Sequence, residues 1–263
     1  MRTAEIFDLS SRVAIVTGAG SGLGSAFAAV LAENGADVSL LDIDLDSAER
    51  VSESLIRQGG KTLAHRLDVA DLDAQEALID QIATQKGQLD ILFLNAGISA
   101  GPGHFVEAGH VTNLDRSLWE RVVHINLTSI MFGIKAAAKH MKRQKSGRIV
   151  VTASVAGLKG DDKVGYAYAA SKAGVVNIVR QAALDLASYG ICVNGIAPGP
   201  FMTNIGGGRL RDPATAKVFI DDIPLGRIAD PVEIKGLALL LASKASSYIT
   251  GITVPIDGGM TAG

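Results

Sequence analysis

The stretch from Val13 to Gly35 narrows the possible folds more than any other part of the chain. Val13-Ala14-Ile15-Val16 is a short apolar run, and Thr17-Gly18-Ala19-Gly20-Ser21-Gly22-Leu23-Gly24 follows it at once. An amphipathic stretch then runs to Asn34, with Gly35 placed to stop it. Branched residues favour a pleated strand, and periodic apolar positions favour a helix. Between them, glycines allow a tight turn and let backbone N–H groups approach an anion at the positive end of the helix. A strand, a glycine-rich turn and a helix in that order make a seat for a dinucleotide pyrophosphate. The candidate contacts are Gly18, Ser21, Gly22, Leu23 and Gly24.

The same alternation continues downstream. Asp37-Val38-Ser39-Leu40-Leu41-Asp42 reads as a second strand ending in an acid, where the adenosine ribose of such a ligand is expected. The Asp42 carboxylate can accept from ribose hydroxyls and repels a 2′-phosphate. The next residues, Ile43 and Asp44, offer no cation to offset that repulsion, so NAD is expected over NADP. Leu45 to Gln58 reads as a helix, Thr62 to Leu67 as a third strand leading to Asp68-Val69, and Asp71 as the cap of a helix reaching Lys86. Ile91-Leu92-Phe93-Leu94 is continuously apolar, as a central parallel strand should be, and leads into Asn95-Ala96-Gly97. Further strands are expected at Ile149–Val151, Cys192–Ala197 and Thr253–Ile256. The fold class is therefore α/β, a Rossmann-like doubly wound parallel sheet of about seven strands flanked by helices. With no repeat, low-complexity tract or linker, residues 1–263 are expected to form a single domain, with a flap over the site at about 204–226.

The chemistry is expected from Tyr168-Ala169-Ala170-Ser171-Lys172. A step of four on a helix stacks two side chains on one face. The phenol of Tyr168 would lie beside the ammonium of Lys172, which should lower the tyrosine pKa toward working pH. A tyrosine so tuned can pass a proton to or from an alcohol oxygen. Ser154 ends the fifth strand, at the edge where open α/β sheets bind ligands. Asn126 sits among apolar residues in an expected long helix, Asp115 to Gln144, and needs a partner there, as a satisfied core residue or as part of a site. Tyr166 is two positions from Tyr168, nearly opposite on the helix, and has alanine four residues on.

Composition removes several other classes. Twenty-five basic and 27 acidic residues are spread along the chain for a net charge of −2, with no basic stripe for nucleic acid or an anionic membrane. The long uncharged run between Leu186 and Arg209 is interrupted by Gly195, Pro198, Gly199 and Pro200, which argues against a membrane span. The N-terminus has no apolar core of signal-peptide length. The lone Cys192 excludes an internal disulfide framework, and a reducing cytoplasm is expected. The five histidines show no metal spacing, and no metal is expected.

In the order of these motifs, from about Ser10 to Gly259, the chain resembles the short-chain dehydrogenase/reductase family in its short single-domain form. The motifs are the Thr17–Gly24 turn, Asp68, Asn95-Ala96-Gly97, Asn126, Ser154, Tyr168 with Lys172, Pro198-Gly199 with Thr203, and Asp257-Gly258-Gly259. The resemblance implies that Tyr168 is the acid/base and that Ser154 holds the substrate oxygen. Lys172 would bind the nicotinamide ribose, and Asn126 would hold a water of a proton relay. It further implies that Thr203 and the Phe201 backbone hold the nicotinamide carboxamide, that Asp68 and Val69 meet adenine, and that Asn95 braces the sheet. Three positions depart from the family pattern. Leu94 stands where another Asn is common, Phe201 replaces a branched aliphatic, and Ser154 to Tyr168 is 14 positions, one more than usual.

Substrate contacts are expected from Ile98, Ser99, Ala156, Leu158, Met202 and Ile205, together with Ser154. That mainly apolar set favours a cyclic or aromatic secondary alcohol, interconverted with its ketone. The alternatives are a sugar or polyol dehydrogenase, a 3-oxoacyl-type reductase, and a catalytically silent NAD-binding module. A homo-oligomer, a tetramer or failing that a dimer, is expected through Val175, Val179, Ala182 and Leu186 of the Tyr166 helix and Ile130, Met131 and Ile134 of the Asn126 helix.

Overall fold

A computed structural model describes residues 2–262. Seven strands form one sheet in the order β3-β2-β1-β4-β5-β6-β7, and every pairing is parallel. The strands are β1 (Val13–Thr17), β2 (Asp37–Asp42), β3 (Lys61–Arg66), β4 (Ile91–Leu94), β5 (Gly147–Thr152), β6 (Ile191–Pro198) and β7 (Thr253–Ile256). The helices are α1 (Thr3–Phe7), α2 (Gly22–Glu33), α3 (Leu45–Arg57), α4 (Leu72–Lys86), α5 (Arg116–Val123), α6 (Ser129–Gln144), α7 (Tyr166–Leu186), α8 (Pro213–Ile220) and α9 (Lys235–Ala242).

The central strands are apolar throughout because both faces are covered. Ile15, Leu92, Leu94, Ile149 and Val151 point into one core with Ile79 of α4, Ile134 of α6 and Val175 and Val179 of α7. Their neighbours Ala14, Val16, Ile91, Phe93 and Val150 point into the other, with Phe27 and Leu31 of α2, Leu55 of α3 and Leu241 of α9. The period-two alternation of a strand thus feeds two cores from one run of residues. Helix starts follow local chemistry. Asp44, Asp71, Asp115 and Asp212 each accept a backbone N–H from the first turn of α3, α4, α5 and α8. Asp230 and Glu233 form a capping box around Pro231, on a 3-10 turn, Pro231–Ile234, that leads into α9.

Two expectations need correction. Asp115–Gln144 is not one regular helix. Between α5 and α6 the residues His124–Thr128 form a π-helical turn, so the stripe of apolar positions changes phase at Asn126. The face of α7 assigned to an interface points inward instead. Val175, Val179, Ala182 and Leu186, with Ile130 and Ile134, are all buried in the chain's own core, and of the named set only Met131 is exposed. Apolar residues on several faces of α7 reflect its close seating on the sheet and on α5 and α6. Its solvent side is marked by Ala170, Ala173, Asn177 and Leu184.

Candidate active site

The carboxyl ends of the strands open into a cavity of about 620 Å³. At one end lies the turn after β1. Gly18 adopts a φ of +65°, and a Cβ there would come within 2.9 Å of Ala96 Cα, so the first glycine is what lets β1 and β4 end side by side. Gly24 does not line the cavity. A Cβ on it would fall 1.9 Å from the carbonyl oxygen of Gly18, so this glycine lets α2 sit against the turn itself. Ser21 precedes α2 without capping it by its side chain, leaving first-turn N–H groups for an anion in the cavity. Asn95 ties the turn to the sheet: its Nδ2 donates to the Thr17 and Gly18 carbonyls, and its Oδ1 accepts from the Thr152 hydroxyl.

Asp42 lies at the lip, where its carboxylate accepts the N–H groups of Gly20 at 2.8 Å and Asp44 at 3.0 Å. Each oxygen keeps a second lone-pair direction for a ligand hydroxyl. Asp68, Val69, Ala96, Gly97, Pro198, Gly199, Phe201 and Thr203 line the same cavity, as expected. Thr203 reaches back over the glycine turn, with its Cγ2 3.3 Å from where a Gly22 side chain would begin.

Ser154, Tyr168 and Lys172 line the same cavity. Burial raises the Tyr168 phenol above its ordinary pKa, while a hydrogen bond from Ser154 pulls it down. The charges of Asp161 and Arg209 act in opposite directions on it. This reverses the expected sign, and the geometry explains why. Lys172 turns its Nζ to the Thr152 carbonyl at 2.7 Å and stays 5.7 Å from the phenol ring centroid. Burial in turn lowers the Lys172 pKa to about 8. Ser154 Oγ accepts the Ala156 N–H at 3.2 Å, which leaves its own hydrogen for an oxygen in the cavity. Asn126 is fully buried, and its side chain is spent on Ile98, accepting from the Ile98 N–H at 2.8 Å and donating to the Ile98 carbonyl at 2.9 Å.

Of the expected substrate positions, Ile98, Ser99, Ser154 and Ile205 line the cavity, whereas Ala156, Leu158 and Met202 do not. Val155–Gly157 forms a 3-10 turn that keeps Val155 on the wall and puts Ala156 behind Ser154. Leu158 and Met202 point outward. Tyr166 stacks on His104, with ring centroids 5.8 Å apart, and neither reaches the cavity. Lys159 donates to the Met260 carbonyl and Lys163 pairs with Asp162 and Asp222, so of that charged loop only Asp161 faces inward. Gly157 had no signal in the sequence. A Cβ there would lie 2.6 Å from the Lys172 carbonyl carbon and oxygen, so its bareness lets the Ser154 turn pack on α7. Arg209 was missed too, because a lone arginine after three glycines reads as a solvated loop charge.

The geometry fits a dinucleotide-binding oxidoreductase, with hydroxyl, phenol and ammonium groups lining the same cavity as the glycine turn. A family model described as enoyl-(acyl carrier protein) reductase matches residues 18–261. The chain belongs to the short-chain dehydrogenase/reductase family, whose members bind a nicotinamide cofactor and act on CH–OH groups. It is 39% identical to cis-4-hydroxycyclohexanecarboxylate dehydrogenase of Sinomonas cyclohexanicum over 96% of this chain and 98% of that one. Cyclohexanol dehydrogenase of Rhodococcus sp. (strain TK6) is 37% identical over 96% and 97% of the two chains. A solved gluconate 5-dehydrogenase from Burkholderia cenocepacia J2315, in complex with NADP and tartrate, superposes with a TM-score of 0.91 at 30% identity, covering all of both chains.

Proposed function

We propose that this chain oxidises a cyclic, largely apolar secondary alcohol to its ketone with NAD, and runs the reverse reduction. The observation that carries the reading is that Ser154, Tyr168 and Lys172 line one cavity together with the glycine turn after β1 and Asp42, with Ser154 hydrogen-bonded to Tyr168. The ring common to the two dehydrogenases above and the apolar wall of Ile98, Val155, Val164, Leu210 and Phe219 support the substrate class. When bound, the nicotinamide supplies the hydride acceptor or donor. Ser154 donates to the substrate oxygen and holds it within reach of Tyr168. Tyr168 takes the hydroxyl proton in oxidation and returns it in reduction, and Lys172 steadies the nicotinamide ribose beside it. Gly18, Ser21, Gly22 and Leu23 hold the pyrophosphate, and Asp68 and Val69 meet the adenine. Screening cyclic secondary alcohols and ketones by nicotinamide absorbance tests the reading, and inactivity toward all of them with either cofactor refutes it.

Asp42 sets the cofactor in this reading. Its carboxylate faces the ribose end of the cradle and has no cationic partner among the described residues, so a 2′-phosphate meets an uncompensated charge. The kcat/KM with NAD should exceed that with NADP by roughly 100-fold, as a like-charge contact of a few kcal/mol implies. Asp42→Ala should close most of that gap. Equal wild-type efficiency with both cofactors rules the assignment out.

The assembly in this reading is a homo-oligomer, a tetramer by preference, formed through the solvent side of α7. Ala170 and Ala173 give a flat approach there, and Leu184 is 78% exposed. Leu184→Glu should reduce the mass seen by light scattering; a wild type that is monomeric at assay concentration removes the interface. No described helix is long and apolar enough to cross a membrane, and the unpaired thiol of Cys192 suits a reducing cytoplasm.

A further inference from the structure

The cavity holds a cation that the proton chemistry does not use. Arg209 follows the three left-handed glycines Gly206, Gly207 and Gly208 and is half-buried on the cavity wall. Its guanidinium carbon lies 5.1 Å from the centroid of the Phe219 ring, and its Nη2 reaches the Lys163 carbonyl at a long 3.4 Å. The cations near it on the flap and the facing loop have partners: Lys163 has Asp162 and Asp222, Lys217 has Asp221, Arg227 has Glu233, and Arg211 donates to Asn204. Arg121 of α5, also on the cavity lining, is exposed and forms no ion pair among the described residues. Among the described residues, no carboxylate forms an ion pair with Arg209. Its charge is nonetheless close enough to act on the Tyr168 phenol.

Stacking on Phe219 occupies a face of the guanidinium and leaves its N–H edge open. Gly206 has no side chain to block that edge. A Cβ there would lie 3.5 Å from Arg209 Nε and 3.8 Å from Ser99 Oγ, so the guanidinium and the Ser99 hydroxyl flank one opening. A planar fork beside a hydroxyl, in a partly desolvated apolar cavity, matches a carboxylate, which can take two parallel N–H bonds. Asp161, close enough like Arg209 to act on the Tyr168 phenol, is a competing charge on this part of the wall. Its Oδ1 accepts the Lys163 N–H, and it disfavours an anion on its own side. The two charges therefore select an orientation as well as a sign.

We infer that Arg209 is a specificity-determining residue that receives a carboxylate on the substrate, making the preferred substrate a cyclic secondary alcohol that also bears an acid group. This rests on the alcohol-dehydrogenase reading above. The competing role for Arg209 is to anchor the flap through Phe219 and Lys163, and Arg209→Met, which keeps an apolar stem, separates the two.

For a cyclic hydroxycarboxylate, Arg209→Met should lower kcat/KM by roughly 100-fold, mostly through KM, as expected for loss of a charge-assisted pair. The corresponding hydroxycarboxamide should change by less than about threefold, and Arg209→Lys should recover part of the loss. A wild type that does not prefer the acid over its amide overturns the inference, as does an equal fall of both substrates in Arg209→Met. Thermal melting with cyclohexanecarboxylate, an anion that cannot react, gives a readout independent of turnover. It should stabilise the wild type and not Arg209→Met, while cyclohexanecarboxamide does so for neither. A carboxylate-specific shift in an enzyme that oxidises no alcohol would sink the proposed activity and leave the anion site standing. Equal shifts in the wild type and Arg209→Met would do the reverse.

Discussion

Tyr168→Phe should lower turnover of a secondary alcohol by roughly 100-fold or more, the usual contribution of a positioned acid/base, with cofactor affinity little changed. The phenol oxygen is hydrogen-bonded to Ser154 in the cavity, and phenylalanine keeps the ring that packs beside Val122 and Ala167. Tyr166→Phe is the matched control, because that ring lies outside the cavity against His104. The pH dependence should share this origin. Burial holds the Tyr168 pKa above its ordinary value, so the phenol is protonated at neutral pH and stands ready as the acid of ketone reduction. Alcohol oxidation needs the phenolate and should speed up from neutral to alkaline pH, while reduction should not. A folded Tyr168→Phe enzyme with wild-type kcat, or oxidation that slows as pH rises through this range, would mean that another group moves the proton.

Gly24→Ala should be the most damaging single methyl addition near the site. The added carbon would fall 1.9 Å from the Gly18 carbonyl oxygen and 2.7 Å from Asn95 Nδ2. Neither neighbour can yield cheaply. One is backbone, and the other is the amide that joins the turn to β4 and β5. Overpacking of this kind costs about 1–3 kcal/mol, and the turn it distorts is the one that must present N–H groups to a pyrophosphate. A melting temperature several degrees lower and a cofactor Kd raised by at least about tenfold are expected, the latter from roughly 1.4 kcal/mol of lost binding. Alanine at the nearby Gly236, where a Cβ meets nothing within 4 Å, should change neither. Wild-type cofactor affinity in Gly24→Ala would show that the turn tolerates what its packing forbids.

The sheet and cradle were legible because their signals are local. A glycine whose backbone must turn, an aspartate that caps a helix and a run of branched residues each announce themselves within a few positions. The site could be read as a set of motifs, and fourteen of the fifteen positions named for the cofactor, before counting Tyr168 and Lys172 again, line the cavity, with Gly24 one layer behind. What sequence spacing could not supply was direction. Lys172 lies one helical turn from Tyr168 yet points to Thr152, so the sign of the tyrosine shift came out opposite to expectation. Val175 and Val179 looked like a free face because the helix is apolar on several sides, and only the fold reveals that the sheet takes that side. Arg209 becomes visible only when Phe219, ten positions on, folds back beneath it.

The π-helical turn at His124–Thr128 works as a phase shifter between two helices that answer to different neighbours. Below it, α5 lies chiefly against α7, with Val122 beside Ala167; beyond it, α6 lies chiefly against α4. Each residue advances a helix by about 100°, and the wider turn absorbs one extra residue, so the rod stays unbroken while the apolar pattern in the sequence shifts by one position across it. Asn126 stands at the change of phase, and its grip on both polar groups of Ile98 depends on that setting. Five residues in a π turn sweep about the same angle as four in an α-helix, so removing one residue from 124–128 would restore a regular helix and leave α5 and α6 facing nearly as they do now. Val122 would stay against α7, but the setting of Asn126 would change and the Ile98 loop would lose its clamp. Packing and site geometry therefore part company here: the rod could shorten by one residue and keep both neighbours, but not its hold on the loop.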